Sequence, residues 1–493
     1  MPTWIYFALF VAALATVSSV LRRRRHAKAL AELVANAFIV KPYLQLGNSP
    51  TQSTSLESVE IHWISDQVLS GWQVEYRNVG TSWQSGTRVT PYSAGYFADK
   101  GATHWRTTIK NLIAGSEFEY RVLLDKNVVF TAVGKCRMPA GKPFRAAIYG
   151  DLANGSPASR QIAHRVAMLM PDLVVLAGDI TYNHGLMSEY LRFFWPVYNA
   201  DATAPDVGGP IMRSRLVLAA AGNHDMAIKE VGETGDLRKA ADAGAFFVLW
   251  SQPLNGPQGR DAVRNVPRFV GNAELLRPLL DASGDRFPRM VNFSVDYGDS
   301  HWLFLDANWY MDWSDPGLRA WVDADLAAAA DTPWKFVVLH QPPFTTDVKH
   351  ADEQRMRLLA DLFEKHGVTV VFGGHNHTYE RNHPLKFKVT PREDGKPTDS
   401  RGRVAGTFEF DRAWDGKTVT RMNGVLYLVT GGGGAKMYID LSRRADHDNL
   451  PPWTAKLIDD VHSLTVMDLE RDRLTFRQLA ADGRELDSFV ITK

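Results

Sequence analysis

The chain has 493 residues, of which 45% are apolar and 23% are charged, and its formal net charge is +1 at pH 7. This length predicts two or more folded domains, and the balanced charge provides no field that would favour binding to nucleic acid. Since there is only one cysteine, an intramolecular disulfide framework is excluded.

The N-terminal stretch from residue 4 to residue 21 carries no charge, and four arginines follow at 22–25. As a helix it would span about 27 Å, which is enough to cross a membrane once. No basic residue precedes the stretch, so the positive-inside rule predicts a single-pass anchor in the lipid bilayer with the rest of the chain in the cytoplasm. Residues 22–38 are then a basic, helical linker. The alternative is an atypical export signal with a periplasmic or secreted product.

Residues 39–138 show short segments of alternating apolar and polar residues, such as 58–63, 72–76 and 105–109. Gly and Ser turns separate these segments. This pattern predicts an all-β sandwich of about 100 residues. The Pro- and Gly-containing stretch 139–143 is predicted to be the linker to the next domain.

Residues 144–493 alternate apolar strands with helical stretches, for example 159–170 and 351–365, which predicts an α/β domain. Residues 227–288 contain no recognisable motif and are interpreted as an insertion. The tail alternates again at 463–469 and 474–479, which predicts edge strands of the second sheet.

Five apolar segments of this domain stop at side chains with oxygen or imidazole donors. These donors are Asp151, Asp179, Asn223, His224, His340, His375 and His377. In open sheets, binding sites form where strands end and loops begin. Oxygen and imidazole donors without a thiolate suit Fe, Mn or Zn. The sequence therefore predicts a site for two metal ions, bridged by a carboxylate such as Asp179.

The motifs around these residues resemble those of the calcineurin-like metallophosphoesterases, and specifically those of the purple acid phosphatase branch. They occur in the family's order, as Gly150–Asp151, Gly178–Tyr182, Gly222–Asp225, Val337–His340 and Gly374–Arg381. The resemblance covers residue 39 to the C-terminus, and residues 41–45 are similar to the start of the fibronectin type III-like domain of that branch. It implies an α/β metallophosphoesterase sandwich of two packed sheets flanked by helices.

The resemblance also implies which residues hold the ions. The first ion would be held by Asp151, Asp179, Tyr182 and His377, and the second by Asp179, Asn223, His340 and His375. Ala153 stands where many family members have a ligand His, and Tyr182 would replace that ligand. A phenolate suits Fe(III), with Zn, Mn or Fe(II) as the second ion. The alternative is that Tyr182 is a partly buried aromatic residue whose hydroxyl is bonded nearby.

Two further histidines receive catalytic roles from the resemblance. His224 directly follows a ligand and would bind the phosphate; the alternative is a hydrogen-bonded structural histidine. His350 would bind phosphate or protonate the leaving group, and Lys349 stands where some members have a second His. The alternative is a surface His350. Tyr379–Arg381 is interpreted as orienting the ligand histidines, and Gly431–Gly434 as a tight turn near the site.

The expected function is hydrolysis of phosphate monoesters through attack by a metal-bound hydroxide, with a small phosphate ester as the substrate. One alternative is a phosphodiesterase of the same fold. Another is a catalytically inert, membrane-tethered binding protein. The complete set of ligands favours an enzyme, because an inert protein would be expected to have lost at least one of them.

Overall fold

The computed structural model describes residues 36–66, 71–85, 90–91, 101–226, 235–257, 267–437 and 447–493. The predicted anchor at 4–21 and most of the predicted linker at 22–38 lie outside these residues. Within the described ranges, no helix combines the length and the apolar character that a membrane crossing requires.

The front part of the chain consists of strands in two four-stranded sheets. The strands are β1 (Val40–Gln45), β2 (Leu56–Asp66), β3 (Trp72–Asn78), β4 (Gln84–Ser85), β5 (Thr90–Pro91), β6 (Ala102–Ile113), β7 (Glu117–Leu124) and β8 (Asn127–Lys135). Their orders are β1-β2-β6-β5 and β4-β3-β7-β8, and all the pairs are antiparallel. Trp72, Val74 and Tyr76 alternate inward along β3, as a sheet with one buried face requires. The relation to fibronectin domains stays a prediction.

The following part contains the remaining strands. They are β9 (Phe144–Tyr149), β10 (Leu173–Leu176), β11 (Asn199–Ala204), β12 (Gly208–Pro210), β13 (Leu216–Ala219), β14 (Gly235–Asp236), β15 (Phe269–Val270), β16 (Phe293–Tyr297), β17 (Ser300–Phe304), β18 (Trp334–Val338), β19 (Val370–Gly373), β20 (Tyr379–Asn382), β21 (Leu385–Val389), β22 (Gly406–Phe410), β23 (Leu426–Thr430), β24 (Thr454–Ile458), β25 (Ser463–Glu470), β26 (Arg473–Ala480) and β27 (Glu485–Thr492).

Helices connect these strands. The α-helices are α1 (Pro157–Leu169), α2 (Met187–Glu189), α3 (Trp195–Tyr198), α4 (Ala245–Leu249), α5 (Ala273–Ser283), α6 (Pro316–Ala328) and α7 (Ala360–Lys365). A π-helical turn covers Tyr190–Phe194, and 3₁₀ turns cover Gly284–Arg286, Arg289–Val291 and Arg355–Leu359. The predicted insertion 227–288 supplies β14, β15, α4 and α5 from its described residues.

Two larger sheets form the body of this part. One has six strands in the order β13-β10-β9-β25-β26-β27, and the other has seven in the order β16-β17-β18-β19-β23-β20-β24. Strands β10, β18 and β19 are buried along their whole length, as expected for parallel strands covered on both faces. Ile148 and Val175 of one sheet share an apolar core with Phe336 and Phe372 of the other. The predicted two-sheet α/β fold is therefore present.

Two predictions about local structure need correction. The predicted helix 351–365 is a 3₁₀ turn followed by the short helix α7, because the Gln354 backbone N–H donates to the carbonyl of Gly402. The predicted edge strands of the tail lie in the sheet of β9 and not in the other one. There, β25 is an inner strand between β9 and β26.

The front sheets pack directly against the metallophosphoesterase-like part. The Tyr43 hydroxyl donates to the Leu249 carbonyl at 2.8 Å, and the Ser251 N–H donates to Gln45 Oε1 at 2.7 Å. Tyr43 and Gln45 are buried. These contacts attach β1 to the segment that follows α4.

A buried histidine attaches helix α6 to the second sheet. His301 Nδ1 lies 2.8 Å from Asp296 Oδ1, and its Nε2 lies 2.9 Å from Asp325 Oδ2. Burial alone would lower the pKa of His301, but hydrogen bonds and charge from both carboxylates outweigh it and raise this pKa from 6.5 to about 9. The folded state therefore binds the proton more tightly than the unfolded state does.

We predict that this histidine makes the stability of the protein depend on pH. Its contribution is fully present below pH 6.5 and is lost as the pH rises through 9, because the unfolded state releases the proton first. Between pH 6 and pH 9.5 the free energy of unfolding should fall by about 3 kcal/mol more in the wild type than in His301→Gln, as measured by urea unfolding. Asp296→Asn should give an intermediate fall. Equal falls in the wild type and His301→Gln would contradict the prediction.

Candidate metal centre

Strand ends gather the predicted donors at one edge of the two sheets. Parallel register makes β9, β10 and β13 end level, at Tyr149, Leu176 and Ala219, and β18 and β19 end level in the same way. The Gly150 N–H donates to the Thr430 carbonyl at 2.9 Å, which joins the end of β9 to the end of β23 in the other sheet. The loops that follow these strands therefore meet.

The donors predicted for the first ion converge on one point. The Tyr182 hydroxyl lies 2.8 Å from Asp151 Oδ1, 3.1 Å from Asp179 Oδ2 and 3.2 Å from His377 Nε2. His377 Nε2 is 3.4 Å from Asp151 Oδ1. Three oxygen donors and one imidazole at these separations could hold a hard metal ion.

The donors predicted for the second ion form an adjacent cluster. His340 Nε2 lies 3.1 Å from Asp179 Oδ2 and 3.2 Å from His375 Nδ1. The potential ligand atoms of Asp179, His340 and His375 all lie within 4.8 Å of one another. Asn223 Oδ1 is buried and accepts no hydrogen bond from any residue that the structure describes. A buried amide oxygen without a donor is costly, and a cation would satisfy it.

The Asp179 carboxylate belongs to both clusters through the same atom. Its Oδ2 faces Tyr182 and His340, each at 3.1 Å. Its other oxygen, Oδ1, accepts the backbone N–H of His224 at 2.8 Å. This hydrogen bond fixes the rotation of the carboxylate and directs Oδ2 between the two clusters. Asp179 is thus placed as a bridging ligand would be.

The glycines beside the donors leave room that no other residue would. A Cβ atom at Gly222 would lie 2.2 Å from Asp179 Oδ1, and one at Gly374 would lie 2.7 Å from Asp151 Oδ2. Real Cβ atoms do not approach other atoms so closely, so a side chain at either position would displace a carboxylate. Gly222 and Gly374 therefore allow the two carboxylates to pack against the backbone.

Three of the donor residues have a backbone conformation that side chains disfavour. Asp151, Asp179 and His375 have φ values of 61°, 50° and 68°. A non-glycine residue in this left-handed region costs on the order of 1–3 kcal/mol, and such residues cluster at functional sites. The fold therefore gives up stability to aim these three side chains at one point.

Hydrogen bonds on the outer side of each histidine select the atom that faces the cluster. His340 Nδ1 donates to the Ala177 carbonyl at 2.7 Å, and His377 Nδ1 donates to the Lys436 carbonyl at 2.6 Å. Both rings therefore present Nε2. His375 is reversed, since its Nε2 faces Glu353 Oε2 at 3.4 Å and its Nδ1 faces His340. Such partners orient metal-binding histidines.

The electrostatics of the cluster favour a bound cation. Burial alone would raise the pKa of Asp179, but the charges of His340 and His224 hold it well below its usual range. Burial opposes the charged form of His340, yet Asp179 raises the pKa of His340 to about 10. Burial lowers the pKa of His375 to about 4. Because a metal ion must replace the proton on His340, metal binding should weaken in acid.

Tyr182, the predicted substitute for the family's ligand histidine, is hydrogen-bonded to Ala153, which stands at the position of that histidine. Ala153 is fully buried, and its carbonyl accepts the backbone N–H of Tyr182 at 3.0 Å. The Ala153 N–H in turn donates to the Ile180 carbonyl at 3.1 Å. This pairing places the phenol of Tyr182 among the other donors, and its role as a metal ligand stays a prediction.

His224 lies beside the shared carboxylate. Its Nδ1 donates to the carbonyl of Asn183, and its Nε2 is 3.7 Å from Asp179 Oδ2. The ring packs on Tyr182 with a centroid separation of 4.4 Å. This hydrogen bond leaves Nε2 directed at the site, where the ring in its protonated form could donate to a phosphate oxygen.

His350 contacts the outer side of the predicted ligand His375, and beside it lies a residue that the sequence analysis missed. His350 Nδ1 lies 2.7 Å from Glu353 Oε1 and 2.9 Å from His375 Nε2. Glu353 thus faces both histidines, which hold its pKa well below its usual range against the effect of burial. In the sequence, the spacing of three residues between His350 and Glu353 was the signal that could have indicated this contact. Lys349 is exposed beside them.

The interpretation of Tyr379–Arg381 as orienting the ligand histidines is wrong. Tyr379 and Arg381 both bind Asp487, while Glu380 accepts the Thr346 N–H at 2.8 Å. Glu380 therefore holds the loop that leads to His350. By contrast, the turn predicted at Gly431–Gly434 does lie at the site, where the Gly433 N–H donates to the Gly150 carbonyl at 3.0 Å.

Comparison with known proteins agrees with this geometry. Residues 144–379 match the family model of the calcineurin-like phosphoesterases. This part of the chain, just under half of it, is similar to the members of that family. Purple acid phosphatase 23 of Arabidopsis thaliana is 36% identical over 270 residues, which are 50% of this chain and 50% of that protein. The predicted purple acid phosphatase branch is therefore supported as well.

Other relatives extend the match along the chain. An uncharacterized protein of Mycobacterium tuberculosis is 25% identical over 354 residues, or 66% of this chain and 57% of that protein. This chain thus spans about half the length of these curated relatives. Purple acid phosphatase PPD1 from yellow lupin (Lupinus luteus) seeds has a similar fold, with a TM-score of 0.64 and 17% identity. The match covers 92% of this chain and 74% of that one.

Proposed function

We propose that this phosphoesterase holds two metal ions and hydrolyses phosphate monoesters. The observation that carries the proposal is the position of Asp179 Oδ2, 3.1 Å from both the Tyr182 hydroxyl and His340 Nε2. A pair of ions in such a site supplies an activated water and neutralises phosphate oxygens. Both donor clusters are complete, which argues against an inert binding protein.

In this proposal, His224 binds the phosphoryl group. Its Nε2 points into the site because its Nδ1 is committed to the Asn183 carbonyl. In the protonated ring, Nε2–H is a donor that is fixed before the reaction, and such a donor can stabilise charge that develops on phosphate oxygens without reorganising. Since His224 is not one of the seven predicted ligand residues, its removal should spare metal binding.

His350 is proposed to give a proton to the leaving group. Its Nδ1 is committed to Glu353 at 2.7 Å, so Nε2 is the atom left to deliver a proton. The Glu353 carboxylate would fix the orientation of this ring, so that Nε2 can face the leaving group as a general acid requires. Because Glu353 also faces His375, one carboxylate would orient both the acid and a metal ligand.

We predict that His224→Ala lowers kcat for p-nitrophenyl phosphate by about 10²–10⁴-fold while the protein still contains two ions per chain. The reason is that the variant loses a phosphate donor and no ligand. The measurements are steady-state kinetics and metal analysis of the same preparation. His184→Ala is the control, since His184 lies near the site but faces Glu189 at 3.5 Å, and its kcat should stay close to that of the wild type.

Two results would count against this role. If His224→Ala loses metal, His224 supports a ligand rather than the substrate. If its kcat is unchanged, His224 does not contact the phosphate. Bis(p-nitrophenyl) phosphate belongs in the same assay, because faster turnover of this diester than of the monoester would favour a phosphodiesterase.

We further propose that the first ion is Fe(III) bound by the Tyr182 phenolate, with Zn, Mn or Fe(II) as the second. Electron transfer from phenolate to Fe(III) would give a visible absorption band. Tyr182→Phe keeps the ring but removes the oxygen that lies within 3.2 Å of three other donors. It should abolish the band and weaken retention of the first ion.

The control for this prediction is Tyr297→Phe. It removes the hydroxyl of another buried tyrosine, one that donates to the Asp172 carbonyl, and it should keep the colour. A colourless wild type with two Zn or Mn ions and full activity would contradict the iron–tyrosinate proposal. The proposed phosphoesterase activity would survive that result.

A further inference from the structure

We propose that Asn308 is a positioning residue, which holds the loop that carries Asn223 and the loop that carries His340 at a fixed separation so that they bind the second ion together. This inference rests on the proposed two-ion site but not on the proposed substrate. Asn308 follows β17 and is fully buried. It is none of the predicted ligands.

The side-chain amide of Asn308 bridges the two loops directly. Its Nδ2 donates to the Gly222 carbonyl at 3.3 Å, and its Oδ1 accepts from Gln341 Nε2 at 3.0 Å. Gly222 immediately precedes Asn223, and Gln341 immediately follows His340. The bridge thus acts one residue away from each ligand.

A buried network holds the amide in place. Asn308 Nδ2 also donates to Asp306 Oδ1 at 2.8 Å, and the Asn308 backbone N–H donates to the same atom at 3.0 Å. The Tyr310 hydroxyl donates to the other oxygen of Asp306, and Trp313 Nε1 donates to its carbonyl at 3.0 Å. These residues are all buried and lie in the loop that follows β17, so the position of Asn308 is set by its own loop and not by the two loops that it joins.

Only an amide fits these partners. Asn supplies a donor and an acceptor at once. An aspartate at this position could accept from Gln341, but it would face the Gly222 carbonyl and the Asp306 carboxylate, which are both acceptors. A buried polar group that loses its partner is costly, so a variant would let the two loops move apart. Groups that orient ligands in this way typically contribute about 10–100-fold to metal affinity.

The test compares metal retention in the wild type, Asn308→Ala and Asn199→Ala, using the full chain. Asn199 is a matched control, because it is also buried and its amide also bridges segments. Its Nδ2 donates to the carbonyls of Lys41 and Pro42, and its Oδ1 accepts from Arg213 Nε. None of these partners lies beside a predicted ligand.

Each protein is dialysed against graded chelator, and the ions per chain are counted by mass spectrometry. Asn308→Ala should lose one of its two ions at a chelator concentration about 10–100-fold lower than the wild type does, while keeping the other. Asn199→Ala should lower Tm by about as much as Asn308→Ala does, but it should keep both ions up to the same chelator concentration as the wild type. If Asn308→Ala does not fold, Gln341→Ala removes one end of the bridge and should cause a smaller loss of the same kind.

Retention of both ions at the wild-type chelator concentration, in Asn308→Ala or in a folded Gln341→Ala, would overturn the inference. So would the loss of both ions together, because Asn308 would then support the whole fold and not the second ion. A wild type that binds only one ion would overturn the proposed two-ion site as well. The failure of each proposal can thus be told apart.

Discussion

The position of one oxygen atom, Oδ2 of Asp179, connects the two halves of the site. It lies 3.1 Å from a phenol that belongs to one cluster and 3.1 Å from an imidazole that belongs to the other. The His224 N–H holds the opposite oxygen, and Gly222, which has no side chain, leaves the room that this oxygen needs. If this carboxylate moved, neither cluster would keep its geometry.

The rest of the fold serves to bring loops from two sheets to this atom. Parallel register ends the strands level, and the hydrogen bond from Gly150 to Thr430 joins the two edges. The left-handed conformations of Asp151, Asp179 and His375 aim the side chains at a cost in stability. The hydrogen-bond partners on the outer side of the histidines then determine whether Nε2 or Nδ1 faces the cluster. The packing of the two sheets offsets this cost in stability.

The sequence identified the five apolar runs and the donors that follow them, because each run and its donor are neighbours in the chain. The replacement of a ligand at Ala153 by Tyr182 stays a prediction. The sequence analysis missed Glu353 because an acidic residue in a helical pattern resembles an exposed one. It also missed Asn308, although the run before Asp306 is apolar and stops at polar residues as the other five do. The placement of β25 beside β9 joins residues more than 300 positions apart, which local periodicity does not encode.

The proposed bridging of two ions by Asp179 can be tested with Asp179→Asn, which keeps the size of the side chain and removes the charge. The measurement is the number of metal ions per chain together with the rate of p-nitrophenyl phosphate hydrolysis by the same sample. We predict two ions and hydrolysis in the wild type, and weakened binding of both ions without detectable hydrolysis in the variant. A variant that retains both ions and the wild-type rate would contradict the proposed bridging.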